Sequence, residues 1–294
     1  MSGDELKSRI KQLEAAQKAP LSEKIKHAQK IIDDLAKKGK MGIMFSGGRD
    51  SCAVALLAKK HSPLLIYCDT GLSTAQAESR VKIVAARLEM ELHVAKPEKN
   101  AYEMWQEHGH YPIGPKRGHT YLKAVTGIKT SPVQCCYHLK EIPAKKIIKQ
   151  EKLAVVLWGN RAADSNRRKL GLIDNGQVHP PGPRWPCFSA QPIALFTDAD
   201  VEKITAPLGQ KFTARAEDGC QVCCTDLSRP DNQLTRTFLK NKKEFDNAIV
   251  NSGLGQQILK ARGEAHSPSD VLQALESQPL RFLRIPAIGR KSAK

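Results

Sequence analysis

Met41-Gly-Ile-Met-Phe-Ser-Gly-Gly-Arg-Asp-Ser-Cys52 is the stretch on which the reading of the fold turns. Twelve residues pass through three regimes. The apolar run 41–45 reads as a short buried strand, Ser46-Gly47-Gly48 as a tight bend, and Cys52-Ala-Val-Ala-Leu-Leu-Ala58 as part of a helix. Strand, glycine turn and helix N-terminus together make an anion site. Glycines let backbone N–H groups come close to a phosphate, and the helix dipole favours negative charge there. Ser46 and Ser51 add hydroxyls. The Gly-Lys-Ser/Thr ending of the kinase-type phosphate loop is absent, so the cradle is of another kind.

Outward from this bend the chain alternates. LLIYC (64–68) and ELHVA (91–95) read as strands, with helices over 51–60 and roughly 73–88. Residues 139–150 read as a helix and LAVVLWG (153–159) as the most apolar strand. Alternating strands and helices predict an α/β fold with a doubly wound parallel sheet covered on both faces. Such sheets bind ligands at the carboxyl ends of their strands. Ile25, Ala28, Ile32 and Leu35 form one apolar stripe in a helical N-terminal segment, residues 1–40. Thr197, followed by early acids, caps a further helix. The expected division is an N-terminal helical segment (1–40), a central domain (41–230) and a basic helical C-terminal segment (231–294). Residues 105–134, with His108, His110 and His119, and residues 174–192, rich in proline, read as long loops.

Lys and Arg number 47 against 30 Asp and Glu, a net charge of +17 with a pI near 9.6. Such an excess speaks about partners, and polyanions, nucleic acid above all, are the class it suits. No apolar run reaches the ~18 residues that span a bilayer, and the first residues are charged and helical in character, unlike a signal peptide. A cytoplasmic protein without a membrane partner is expected. In that compartment the eight cysteines read as ligands, catalysts or core residues rather than disulfides.

Phe45-Ser-Gly-Gly-Arg-Asp-Ser51 resembles the SGGxDS loop of the PP-loop ATP pyrophosphatases. In that superfamily, of the adenine nucleotide alpha hydrolase-like fold, the loop holds the pyrophosphate end of ATP while an acceptor oxygen is adenylylated. The resemblance implies ATP and Mg²⁺ as ligands and Ser46, Gly47, Gly48, Arg49, Asp50 and Ser51 as the cradle, with Asp50 also catalytic. Tyr67-Cys-Asp69-Thr70-Gly71-Leu resembles a segment that follows the second strand of the phosphoadenosine phosphosulfate reductase-like family. Trp158-Gly159-Asn-Arg161-Ala-Ala-Asp-Ser-Asn-Arg167 resembles that family's Gly-x-Arg-x-x-x-Ser-x-x-Arg segment. The resemblance implies nucleotide contacts from Asp69, Thr70, Gly71 and Gly159 and catalytic phosphate contacts from Arg161 and Arg167, geometry that guanidinium groups suit. Plain surface charge is the alternative for both arginines.

Gln134-Cys135-Cys136 and the later Cys220-Gln-Val-Cys223-Cys224 resemble the 4Fe–4S site of adenylyl sulfate reductases, where a Cys-Cys pair opens a helix with a lysine nearby, as Lys140 is here. The implied ligands are Cys135, Cys136, Cys220 and Cys223, with Cys224 nearly equivalent to Cys223. Four thiolates suit such a cluster, and zinc is the alternative. Cys52 and Cys68 read as core, and Cys187 as either a reactive or a packed thiol.

Two departures from the reductases stand out. No cysteine follows Cys224, where the reductases carry their catalytic thiol, and the phosphate loop is intact where theirs is degraded. Both point to ATP use. With the basic surface, the pattern is closest in character to the ATP pyrophosphatase component of DNA phosphorothioation systems, and thiolation of tRNA is the sister possibility. That reading implies DNA more than tRNA as partner, a cysteine desulfurase or another sulfur donor, and other subunits of a modification complex. A sulfonucleotide reductase or an enzyme like the ATP sulfurylase small subunit is a second hypothesis, and a non-catalytic nucleotide-binding regulator a third.

Overall fold

The computed structural model describes residues 3–73, 75–101, 103–104, 136–209, 212 and 273. Its elements in chain order are α1 (Gly3–Lys18), α2 (Leu21–Ala36), β1 (Met41–Met44), α3 (Arg49–Ala58), β2 (Leu64–Cys68), α4 (Ala75–Leu88) and β3 (Leu92–Ala95). After these come a π-helical turn (Tyr137–Glu141), α5 (Ile142–Gln150), β4 (Val155–Trp158), α6 (Asn166–Asn175), β5 (Val178–His179), β6 (Phe188–Ala190) and α7 (Asp198–Thr205). The chain divides into two compact units. The first is Met1–Cys68, Ala75–Ala95 and Ala144–Phe212; the second is Asp69–Thr74, Lys96–Pro143 and Thr213–Lys294.

The first unit is built on a six-stranded sheet in the order β3-β2-β1-β4-β6-β5. All neighbours are parallel except β5 against β6. Parallel strands need crossovers, and crossover helices cover both faces, so the central strands β1, β2 and β4 are apolar throughout. β2 shows the consequence residue by residue. Leu65 and Tyr67 point into a core shared with α2, α3, α4 and α7, which supply Ala28, Ile32, Val54, Val84 and Val201. Leu64 and Ile66 point the other way, against Ala144, Ile147 and Ile148 of α5. The expected doubly wound α/β sheet is present.

The stripe on α2 buries Ala28, Ile32 and Leu35, with Ile25 packed at its edge. Residues 1–40 therefore lie in the same unit as the sheet. Pro20 separates α2 from α1 within the segment 1–40 that reads as helical. Lys24 of α2 is buried and reaches both the Gln17 carbonyl, at 2.9 Å, and the Asp200 carboxylate on α7.

The stretch 174–192, expected as a loop, contributes β5 and β6 to the sheet. β6 is the parallel neighbour of β4. Its three residues, Phe188-Ser-Ala, are too few to show a period, and the prolines before them read as loop; pairing with β4 defines the strand. The expected C-terminal helices, the loop histidines His108, His110 and His119, and the segment 105–134 lie outside the described residues. No helix among the described residues is long and apolar enough to cross a membrane.

Replacing the fully buried Ile32 by Ala should lower stability by ~2–5 kcal/mol through lost burial and the cavity left behind. Lys30→Ala, on the exposed face of the same helix, should change it by less than about 0.5 kcal/mol. Urea denaturation of both variants checks that α2 belongs to the core.

Candidate phosphate-binding site

β1 continues through α3 to β2 on one side, whereas β4 leads on to β6 on the other. Connections that diverge from two adjacent strands open a crevice beyond their carboxyl ends, the place where open α/β sheets take ligands. Met44 and Trp158, the last residues of β1 and β4, are paired in register. The SGGRDS loop and the Gly159–Arg161 segment thus leave the sheet side by side.

Each residue of the bend has a separate task. Gly47 takes φ +68°, and a Cβ there would lie 2.8 Å from Val81 Cγ2 and 3.1 Å from Val81 Cα. Both the left-handed backbone and the closeness of α4 demand glycine. Gly48 is the N-cap of α3, with φ −78° and ψ 162°, and brings no side chain to the first-turn amides. A helix start of this kind leaves backbone donors for an anion. The serine hydroxyls are used within the loop. Ser51 Oγ donates to the Gly48 carbonyl at 2.9 Å and accepts from the Ser46 amide at 3.3 Å, while Ser46 Oγ accepts from the Gly48 amide at 3.3 Å.

Behind the loop lies Arg161, only 1% exposed. Its Nε faces Asp50 Oδ1 at 3.1 Å, and its Nη2 meets Asp164 Oδ1 at 3.0 Å and Asp198 Oδ1 at 2.9 Å. Two of these carboxylates sit in the first turns of α3 and α7, where they also complement the helix dipoles. Arg49 pairs with Asp198, and Arg168 with Asp164. Burial alone would lower the Arg161 pKa. The charges of Asp50 and Asp164 and the hydrogen bond to Asp198 outweigh it, and the guanidinium is held charged. Burial likewise pulls the Asp198 carboxyl up, but Arg161 and Arg49 bring it below its ordinary value. With the folded-state pKa depressed, the stabilisation from Asp198 is complete above the ordinary carboxylate range and fades as pH falls through the lowered value. Arg161 Nη1 is buried with no hydrogen-bond partner among the described residues, a donor that a nearby anion would satisfy.

Gly159 has a packing reason. A Cβ would come within 2.9 Å of the Asp50 carbonyl carbon and the Ser51 amide nitrogen, so only glycine lets the end of β4 close on the first turn of α3. Arg167 lies exposed in the first turn of α6, while Arg161 is beneath the surface. The two arginines of one motif thus occupy opposite environments. Asp69, Thr70 and Gly71 belong to the second unit. There Asp69 accepts from the Gly71 amide at 3.0 Å and faces Lys96 at 3.6 Å, the Thr70 hydroxyl accepts from the Leu72 amide at 3.3 Å, and Gly71 has φ +68°.

Of the four expected cluster ligands, Cys136 alone is described. It is the half-buried N-cap of the π turn that carries Lys140. Cys135, Cys220 and Cys223, with Cys224, lie outside the described residues. Among the described residues no group of three or more His, Cys, Asp or Glu is placed to hold a metal. Cys52 and Cys187 are core thiols, pushed by burial to about 12 and about 11. Cys68 is half-buried against the α5 face of the sheet.

Sequence reasoning did not find Asp198 or the role of Asp164. Asp198 reads as an ordinary dipole-complementing acid after an N-cap threonine, and nothing in a separation of 37 residues ties it to Arg161.

Arg161→Met should cost ~3–5 kcal/mol, because its carboxylate partners lose the cation that compensates them; urea denaturation at pH 7 measures it. Cys52 and Cys187 should resist maleimide at pH 8 until the protein unfolds, since neither forms thiolate there. Mass spectrometry of labelled peptides, with and without urea, reads this directly.

Residues 40–207 match the phosphoadenosine phosphosulfate reductase domain family. No curated protein sequence matches the chain. Two similar solved structures are a phosphoadenylyl-sulfate reductase from Candida auris in a phosphate complex and an FMN adenylyltransferase from Candida glabrata with FAD and inorganic pyrophosphate. The first is 16% identical, covers 63% of this chain and 81% of its own, and has a TM-score of 0.44. The second is 12% identical over 69% of this chain and 65% of its own, with a TM-score of 0.43. The family match takes in β1, the SGGRDS loop, Gly159, Arg161 and all of α7, more than half of the chain, and the chain belongs to the phosphoadenosine phosphosulfate reductase domain family.

Proposed function

We propose that the chain is an ATP pyrophosphatase that activates an oxygen of nucleic acid for replacement by sulfur. The observation that carries the reading is the intact SGGRDS loop at the switch point of the sheet, ending in a helix whose N-cap glycine puts no side-chain cap on the first-turn amides. In this reading the loop holds the β- and γ-phosphates of ATP with Mg²⁺. The acceptor oxygen attacks the α-phosphorus, the bond to pyrophosphate breaks, and an AMP ester forms. A sulfur nucleophile, from a cysteine desulfurase or another donor, then displaces AMP.

The net charge of +17 supports a polyanionic acceptor, and the DNA backbone is favoured over tRNA. Arg167 is exposed in the first turn of α6 and Lys146 is exposed on α5, the helices that flank β4 in sequence. Arg168 is engaged by Asp164 and is less suited to a phosphate. Cys135, Cys136, Cys220 and Cys223 offer four thiolates, a ligand set that suits a 4Fe–4S cluster; when bound, the cluster would supply a redox or structural centre.

The family match itself favours a second reading, reduction of a sulfonucleotide. Sulfite release from adenylyl sulfate or its 3′-phosphorylated form, with a thiol reductant, decides for it.

Gly48 has an ordinary φ, so Gly48→Val should fold, and in this reading its side chain would fill space that phosphate oxygens need. Losing one charge-assisted hydrogen bond to phosphate costs about 1.5–3 kcal/mol, so ATP affinity should fall by at least ~10-fold. Calorimetry with a folded Gly48→Val protein of unchanged affinity overturns the ATP reading.

Binding to duplex DNA should weaken steeply with salt. Arg167→Glu, which removes one cation from the DNA backbone, should reduce the slope of log K against log salt by about 0.9; an ATP affinity that falls with it returns Arg167 to the nucleotide contact that its motif implied. A fluorescence-anisotropy salt titration, with calorimetry for ATP, tests both. Anaerobically purified protein should be brown with about four irons per chain, and Cys135→Ser should bleach it; one zinc in a colourless protein overturns the cluster.

A further inference from the structure

We infer that Asp198 is a positioning residue for nucleotide binding: it holds Arg49 at the phosphate loop through a carboxylate oxygen that it shares with buried Arg161. The inference rests on the ATP reading above and adds to it a residue outside every motif that suggested it.

Arg49 fills the variable position of the SGGxDS loop and is the first residue of α3. Its Nη2 donates to Asp198 Oδ1, 149 residues away in sequence. The carboxylate of its own neighbour, Asp50, lies 3.8 Å from its Nε, beyond hydrogen-bond reach. The same Asp198 oxygen accepts from Arg161 Nη2 at 2.9 Å. One negative charge is thus divided between two guanidinium groups.

The two arginines differ in exposure. Arg161 is 1% exposed and also faces Asp50 and Asp164, whereas the Arg49 side chain is 29% exposed. An exposed ion pair by itself holds a long side chain poorly, and the Asp198 side chain is 72% exposed. Its backbone, however, is anchored. Thr197 and Asp200 form a capping box at the start of α7, the Thr197 hydroxyl donating to Asp200 at 2.8 Å, and Asp200 pairs with buried Lys24. The chain of interactions from α2 through the α7 cap to Asp198 gives Arg49 a fixed anchor.

Without that carboxylate, Arg161 would keep Asp50 and Asp164, whereas Arg49, the more exposed of the two, would lose its hydrogen-bonded acid and turn to solvent. The loop would then lose the fixed cation at its variable position, and preorganised charge is what makes such interactions strong. Because Asp198 shares its single charge between two cations, Arg49 keeps positive charge for an incoming phosphate.

The test is a double-mutant cycle on ATP affinity, measured by calorimetry with Mg²⁺ in the full-length protein. Asp198→Ala and Arg49→Ala should each weaken ATP binding by about tenfold, with thermal unfolding within a few degrees of wild type. Asp198→Ala added to Arg49→Ala should cost nothing more, and Asp198→Glu should restore most of the affinity. Should Asp198→Ala fail to fold, the isosteric Asp198→Asn carries the cycle. Additive losses, or a folded Asp198→Ala protein with wild-type affinity, overturn the positioning role and leave the ATP reading standing. A wild-type protein that does not bind ATP overturns both.

Discussion

The guanidinium of Arg161 is the constraint around which the site is assembled. It is buried almost completely, and an unpaired charge at that depth would be prohibitive. The chain meets the demand with three carboxylates from three separate places: the start of α3, the turn after β4, and the start of α7. Each of those backbones is thereby tied to the others. A buried ion network of this kind is weak evidence for stability, since desolvation cancels much of the attraction. Its value here is geometric, because the first turn of α3 cannot shift without stranding a charge.

Glycine does the complementary work at the same place. Gly47 and Gly159 sit where backbone must come against backbone, one beneath α4 and the other against the Asp50–Ser51 peptide. Between them the loop is clamped from both sides, while Gly48 gives α3 an N-cap without a side-chain hydrogen bond. The serines, expected as ligand donors, knit the bend through hydrogen bonds to its own backbone. A loop shaped in advance costs a ligand little ordering entropy.

Charge is distributed unevenly. The chain is strongly basic, yet around Arg161 three arginines face three aspartates. The excess over neutrality lies elsewhere, on residues such as Arg167 and Lys146 that are open to solvent. In the proposed function, a balanced cluster would keep a small anion exchangeable, and an unbalanced exterior would attract a polyanion over a Debye length of about 8 Å.

The alternation of apolar runs with helical patterns was sufficient to predict the parallel sheet, because buried parallel strands are apolar on both faces and β2 and β4 write that pattern plainly. The phosphate loop was equally legible, since strand, glycines and helix start are contiguous. The stripe on α2 was visible too, through its period. Other features needed the tertiary structure. β6 is three residues long and becomes a strand through pairing with β4, a non-local event that no local pattern records. Arg161 and Arg167 look alike in one motif, yet the chain turns after β4 so that the first is buried and the second exposed. Gly159 reads as a nucleotide contact in a motif but as a packing necessity once α3 is laid against it. Asp198 was invisible, because a carboxylate at a helix start has a sufficient local reason to be there. Local chemistry determined which segments form strand, turn and helix; only the packing of α3, β4 and α7 against one another decided which charges meet.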